Sequence, residues 1–404
     1  MATTSFLYHT QGVRGYKHVR TEYVNGGVRH HITRERHRRE CRGCGARWHA
    51  LRMSGQFVRS FVALPVGSRR QEIVLHGHEQ TCMRCGRTLR EPIPFAKGKQ
   101  RYLNVVAVYI VALCRIAPIK HVAGFLGLGW DLVKAVFKEH LSRRLKQISL
   151  SQVRMIAIDE FAIHKGHRYM TVVLDLDTGQ ILWAAQGRDA GALIPFFRRL
   201  QQARAPLEAI AIDMWPAYLL AAQTVFPKVA IVHDPFHVVT LVNRAIDDTR
   251  RELYHSLRGP DRKVIKGSRF LLLKAGETLG ETDRDRLEHL MALNEPLYQA
   301  YLLKEDLRQF WNQGTTDAAG LFLSHWIERA RATGLRHFSK LAATLERHAL
   351  QLLSWYRYSI STGPLEGLNN KIKVLKRQAY GLRDLDYFKL RLYFIHESTP
   401  AFPG

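Results

Sequence analysis

"MIAIDEFAIHKGHRYMTVVLDLDTGQILWAA", residues 155–185, contains three short apolar runs and a question about acids. Met155 to Ile158 leads into Asp159 and Glu160. Met170 to Leu174 ends at Asp175, and Ile181 to Ala185 follows a turn at Asp177-Thr178-Gly179. Runs of this length, rich in β-branched residues and bounded by turn formers, read as strands of a buried sheet. The spacing predicts strands over Met155–Asp159, Tyr169–Leu174 and Ile181–Gln186, a helix from about Asp189 to Ala203, and strands over Ile210–Asp213 and Val229–Val232. Strands alternating with helices define an α/β layer. In such layers ligands collect beyond the carboxyl ends of the strands, where Asp159, Asp213, His233 and Asp234 are expected. A single carboxylate there would serve equally as a helix cap or a solvated loop acid; several from neighbouring strands suggest chemistry.

Charge narrows the choice. The 404-residue chain carries a net +26, is long enough for two or three domains, and has an ordinary apolar share of 46%. Residues 1–150 hold 27 Lys/Arg against 8 Asp/Glu; the rest hold 34 against 27. A front third this positive fits nucleic acid, through phosphate neutralisation and counterion release. A basic surface that merely confers solubility is the alternative. No run of 18 uncharged apolar residues offers a membrane span, and the N-terminus lacks a secretory apolar region, so a cytoplasmic protein without membrane contact is expected.

"CRGCG" (Cys41, Cys44) and "CMRCG" (Cys82, Cys85) are two C-x2-C-G knuckles, a pattern that suits one structural tetrahedral zinc. The 37 residues between them exceed the usual ribbon spacing, and His76 or His78 could replace a thiolate. Cys114, inside "VVAVYIVALC", reads as plain core. Residues 117–146 show an apolar stripe (Val122, Phe125, Leu126), a Gly127-Leu128-Gly129 break and a second stripe (Leu132, Val133, Val136, Phe137). Either a helix-turn-helix or an ordinary helical hairpin has this form. On the first reading the second helix presents Trp130, Lys134 and Lys138 to DNA. The expected divisions are a basic N-terminal arm (1–37), a zinc-binding module (38–98), a helix-turn-helix domain (99–150), the first part of the core (151–237), a helical insertion (238–358) and C-terminal core helices (359–404).

Carboxylates in a basic protein repel nucleic acid unless a cation mediates, and magnesium, which takes oxygen ligands and bridges to phosphate, is the obvious one. Two such ions would need a third acid. "STGPLEGLNNKIKVLKRQAYGLRDLDYFKLRLYF", residues 361–394, supplies Glu366 in the first turn of a helix, with Asn369, Asn370, Lys373 and Arg377 following at i+3, i+4, i+7 and i+11. An ordinary amphipathic helix with a favourable N-terminal Glu would look the same.

With "AIDEFAIHKGHRYMTVVLDLDTGQILW", "AIDMWPAY", "VHDPFHVVTLVNRAIDDTRREL" and "GPLEGLNNKIKVLKRQAYGLRDLDYFKLRL" in place, the chain resembles, over nearly its whole length, the bacterial insertion-sequence transposases of the ISL-three family. The resemblance implies a ribonuclease-H-like core with a DDE triad, preceded by zinc and helix-turn-helix elements and interrupted by a helical insertion before the Glu. Carried over to this chain, the triad is Asp159, Asp213 and Glu366. The expected cofactors are two Mg2+ (or Mn2+) ions per active site and a structural Zn2+. The expected activity is metal-dependent nicking and strand transfer at terminal inverted repeats by a homodimer on double-stranded DNA, acting at the bacterial nucleoid. Asn370, Lys373 and Arg377 would meet phosphate. His233, Asp234 and His237 could sit near the metals or form a polar turn capping the next helix. A nuclease or resolvase that cuts without joining, and a DNA-binding repressor with an inactive core, are the rival readings.

Overall fold

The computed structural model describes residues 3–164, 168–378 and 384–395. The rest, including 165–167 in the first motif and 379–383 in the last, lie outside the described residues. The chain divides into two compact units, one up to Lys146 and one from Gln147.

In the first unit, α1 (Thr3–Gln11) precedes β1 (Tyr16–Val24), β2 (Gly27–Arg34), β3 (Leu51–Val66), β4 (Arg69–Cys82) and β5 (Thr88–Arg90). The sheet runs β1-β2-β4-β3, with β5 also paired to β4. Asn25-Gly26, at φ 49° and 73°, turns β1 into β2, as an Asn-Gly pair favours. β2 then lies parallel to β4, from Val28 opposite Gln71 to Thr33 opposite His76. The expected arm is therefore corrected: residues 16–34 are part of the sheet. Its polar residues are buried in pairs, with His30 bonded to Gln71 and His31 to His76, each at 2.9 Å. Gln11 of α1 bonds both backbone groups of Leu64.

Three helices complete this unit: α2 (Asn104–Ile116), α3 (Ile119–Leu126) and α4 (Trp130–Leu145). Val106, Ile110 and Cys114 of α2, Val122 and Leu126 of α3, and Val133, Phe137 and Leu141 of α4 are their buried faces. Gly127 ends α3 at φ 64°, the left-handed cap that lets the chain turn towards α4. A Cβ on Gly127 would also stand 2.3 Å from Cζ of Arg70. Gly127→Ala is expected to cost about 1–2 kcal/mol through backbone strain, read as a lower melting temperature. An unchanged melting curve would show that the turn relaxes freely.

The second unit is built on β6 (Met155–His164), β7 (Arg168–Asp175), β8 (Ile181–Gln186), α5 (Ala190–Gln202), β9 (Ala209–Ile212), α6 (Pro216–Val225) and β10 (Ala230–His233). The sheet order is β10-β9-β6-β7-β8. β6, β7 and β8 form an antiparallel meander, and β9 and β10 run parallel to β6. Leu193, Phe196, Phe197 and Leu200 of α5 close over Ile156, Ile158, Val173, Ile210 and Ile212.

Next come α7 (Pro235–Ser256), α8 (Gly259–Ile265), α9 (Arg269–Leu273), α10 (Glu281–Leu293), α11 (Glu295–Arg308), α12 (Thr316–Ala332), α13 (Arg336–Arg347), α14 (Ala349–Leu353) and α15 (Trp355–Tyr358). They share a core of their own around Leu297, Trp326 and Phe338. The chain then returns to the sheet: α16 (Gly363–Gln378) packs on β6 and α17 (Leu385–Tyr393) on β8. Leu365, Leu368 and Ile372 are the buried face of α16. No helix among the described residues is long and apolar enough to cross a membrane.

Candidate active site and metal centre

The registers of three neighbouring strands bring the acids together. β9 pairs with β6 only from Met155 opposite Ala209 to Ala157 opposite Ala211. Two steps further, Asp213 falls beside Asp159, on strands about 4.8 Å apart. β10 ends with His233 opposite Ile212, so Asp234 falls beside Asp213 in turn. One expectation needs correction: Asp159 is not at a strand tip. β6 continues to His164 and Asp159 pairs with Val172 of β7. It is β9 that stops short, which leaves the Asp159 edge of β6 without a strand partner on that side and open to α16.

Asp159 is half-buried. Its Oδ1 accepts the Glu160 amide at 2.7 Å and its Oδ2 accepts Nδ2 of Asn369 at 3.0 Å. Burial raises its pKa above the usual carboxylate value; those hydrogen bonds and the nearby His237 oppose the rise, and the charge of Asp213 adds to it. Asp213 Oδ1 accepts the Met214 amide at 2.5 Å and lies 3.4 Å from His237 Nδ1. Glu160 is also raised by burial; it accepts a hydrogen bond from the Tyr218 hydroxyl at 3.0 Å, which in turn meets Thr171 Oγ1 at 2.9 Å.

Glu366 sits exposed in the first turn of α16, one turn before Asn369 on the same helical face. Among the described residues no hydrogen bond or ion pair links it to either aspartate. The i+3 spacing from Glu366 puts Asn369 on this face, and the bond to Asp159, 210 residues away along the chain, is visible only in the fold. Further along α16, Asn370 accepts from Lys373 at 3.3 Å, Lys376 donates to the Ala162 carbonyl at 2.8 Å, and Arg377 is exposed.

Asp234 is committed elsewhere. It is buried, and its two oxygens accept the Thr362 amide (3.3 Å) and hydroxyl (2.8 Å), tying the start of β10's following helix to the residue just before α16. His237 lies between the two acids, 3.9 Å from Asp234 Oδ2 as well as near Asp213. His233 is fully engaged: Nδ1 meets the Ile212 carbonyl at 3.3 Å and Nε2 meets His348 Nδ1 at 3.2 Å. Burial pushes its pKa down to about 4, so it is neutral at pH 7.

The donor set around Asp159 and Asp213 is oxygen, which suits magnesium or manganese rather than a thiophilic metal. Asn369 Oδ1 supports this fit: it is buried with no hydrogen-bond partner among the described residues, an acceptor that a hydrated cation would satisfy.

In the first unit the four cysteines converge. The β3–β4 hairpin sets Leu51 opposite Cys82, which explains the long spacing: most of the 37 intervening residues are two paired strands. Cys41 and Cys85 sulfurs are 3.6 Å apart, Cys44 and Cys82 sulfurs 3.7 Å, and all four lie within 4.8 Å of one another. A tetrahedron of 2.3 Å Zn–S bonds has edges of about 3.8 Å, so the cluster could hold zinc. Gly45 and Gly86, at φ 70° and 68°, make the tight turns. The Gly43 amide, donating to Cys41 Sγ at 3.3 Å, holds that thiol down to about 7. His76 and His78 do not join; they bond His31 and Arg39 respectively. On α4, Trp130 is exposed with the Lys134 ammonium 5.0 Å from its ring centroid, and Lys138 is half-buried.

The family model for ISL3 (ISL-three) proteins, described as "Transposase", matches residues 156–392. The transposase for insertion sequence element IS1001 of Bordetella parapertussis is 35% identical over 370 residues, spanning 90% of this chain and 89% of its own. The transposase for insertion sequence element IS1557 of Mycobacterium tuberculosis is 28% identical over 401 residues, spanning 91% and 88%. The Drosophila P element transposase strand transfer complex aligns at 11% identity and TM-score 0.38 over 72% of this chain and 91% of that one, too slight a likeness to argue from. This chain belongs to the ISL3 family of transposases.

Proposed function

We propose that the chain is a DDE-type DNA transposase whose ribonuclease-H-like sheet carries Asp159, Asp213 and Glu366 as its catalytic acids. The observation that supports this best is the bond from Asn369 to Asp159, which seats the Glu366 helix against the strand bearing the first acid, beside the register position of the second. Bound at these oxygens, two Mg2+ or Mn2+ ions supply the charge that activates water or a 3′-hydroxyl and steadies the leaving oxygen. The chain's own work is positional. Asp159 and Asp213 hold oxygens at a fixed separation, Asn369 fixes the rotamer of Asp159, and Glu366 enters from the helix. Water attacks the phosphorus at the transposon end and the P–O bond to the leaving 3′-oxygen breaks; the freed 3′-hydroxyl then gives up its proton and attacks a target phosphate, forming a new P–O bond as the target's P–O bond to its own 3′-oxygen breaks and that oxygen takes a proton.

On this reading α3 and α4 form the helix-turn-helix that finds the terminal inverted repeats, with Trp130, Lys134 and Lys138 at the front of α4, while Asn370, Lys373 and Arg377 of α16 meet phosphate near the cut. A zinc held by Cys41, Cys44, Cys82 and Cys85 stiffens the sheet of the first unit. The protein works on DNA at the nucleoid, as a homodimer that holds two ends. A strand-transfer assay on a labelled transposon end tests the whole reading. Joined product is expected. Cutting without joining would make the protein a nuclease or resolvase, and binding without cutting a repressor.

The Asp234–Thr362 tie adds a narrower expectation. Thr362→Val removes a hydrogen bond to a buried carboxylate, worth about 1.5–3 kcal/mol, and loosens the entry to α16. Cutting should fall roughly tenfold or more while end binding is kept; equal loss of both would show general unfolding instead.

A further inference from the structure

Near these acids one cation is held as a fixture. Arg188 lies between the end of β8 and the start of α5, and its backbone is fastened on both sides. The Gly187 amide donates to the Tyr169 carbonyl at 3.0 Å and the Gly187 carbonyl accepts Thr171 Oγ1 at 2.7 Å. The Arg188 carbonyl accepts Nε1 of Trp215 at 2.8 Å. The same two aromatic residues take the side chain: the guanidinium carbon is 4.4 Å from the Tyr169 ring centroid and 4.7 Å from that of Trp215. Trp215 follows Asp213 by two residues, and the Thr171 hydroxyl leads through Tyr218 to Glu160. Burial raises the pKa of Glu160, and Arg188 is the cation that pulls it the other way.

Among the described residues the Arg188 guanidinium makes no hydrogen bond and no ion pair. Its stacking partners are supplied by the chain; what it has left to offer is its N–H donors, in a planar fork that matches a phosphate. A guanidinium already immobilised loses little freedom when it binds. We propose that Arg188, held over the rings of Tyr169 and Trp215, is a phosphate clamp that grips a DNA phosphodiester next to the one being cut. The clamp rests on the active-site reading above and deepens it. It fixes the strand so that the scissile phosphate falls between Asp159 and Asp213.

The test uses the full chain and a fluorescent duplex carrying the element's terminal sequence, titrated in EDTA so that no cutting intervenes. Arg188→Gln is expected to weaken binding roughly tenfold and to reduce the slope of log affinity against log salt by about 0.9, one phosphate contact. Arg188→Lys should restore the slope but, lacking the fork, still cut roughly tenfold more slowly under Mg2+. An unchanged slope in Arg188→Gln overturns the proposal. Should that variant fail to fold, methylphosphonate scanning of the duplex with wild type and Arg188→Lys side by side decides: one neutralised position flanking the cut should cost the wild type roughly tenfold in affinity and the Lys variant clearly less, and equal losses at every position in the two proteins would overturn the clamp. Because the binding and salt-slope readouts need no metal, they stand apart from the acids. Cutting that survives Asp159→Asn would sink the active-site reading while leaving the slope result to judge Arg188.

Discussion

Asp159→Asn is expected to abolish Mg2+-dependent cutting and yet leave the metal-free protein at least as stable as the wild type. The first half follows from chemistry. An amide in place of the carboxylate removes a negative oxygen from the proposed metal site, and losing several kcal/mol of transition-state stabilisation lowers the rate by about 10^3-fold or more. The second half follows from burial. Asp159 and Glu160 both have raised pKa values because their charged forms are poorly solvated. For an acid whose folded pKa lies above the unfolded value, the folded state holds the proton more tightly. Stability is then highest below the unfolded pKa and falls as pH rises towards the folded one. Metal-free wild type should therefore melt lower at neutral pH than in mild acid on account of these groups, and the Asn variant should lose its share of that decline. Asn369 can still donate to an amide oxygen at position 159. Calorimetry across pH, with cutting measured alongside, checks both halves. Cutting within a few-fold of wild type would remove Asp159 from the chemistry.

The second large effect is expected at Cys41. Structural zinc contributes apparent binding energies of about 10–16 kcal/mol in small peptides, more than any single packing change in this chain could match. Here part of that energy is shared with a sheet that continues beyond the cluster, so the unit should loosen from its cysteine end rather than unfold outright. Cys41→Ser should lose stoichiometric zinc by elemental analysis, lower the melting temperature, and weaken binding to the transposon end; chelation should do the same to wild type. Cys114→Ser, in the buried face of α2, serves as the comparison that keeps its metal. One zinc per chain retained in Cys41→Ser would end the assignment of that thiol.

The mixed α/β layering was readable because β6 to β10 are short apolar runs ending at turn residues, a pattern set by burial on both faces of a sheet. Acids beyond β9 and β10 were visible for the same reason. What the pattern does not encode is how far each strand is paired. Asp159 looked terminal because its polarity interrupts the run, whereas β6 continues and only β9 stops. Residues 16–34 were misread because buried His30 and His31 count as polar in any hydropathy sum, although their hydrogen-bond partners come from β4. The bond of Asn369 to Asp159 and the setting of Arg188 between Tyr169 and Trp215 left no mark in the sequence because they join residues distant along the chain, which no local spacing reveals.

The tie between Asp234 and Thr362 joins two points 128 residues apart, on either side of the helical segment. A ribosome delivers the first two acids long before it delivers the helix bearing the third. On the proposed triad, a nascent chain emerges with its acids incomplete, and the site can assemble only after the intervening helices have been made and Asp234 and Thr362 at their two ends have met.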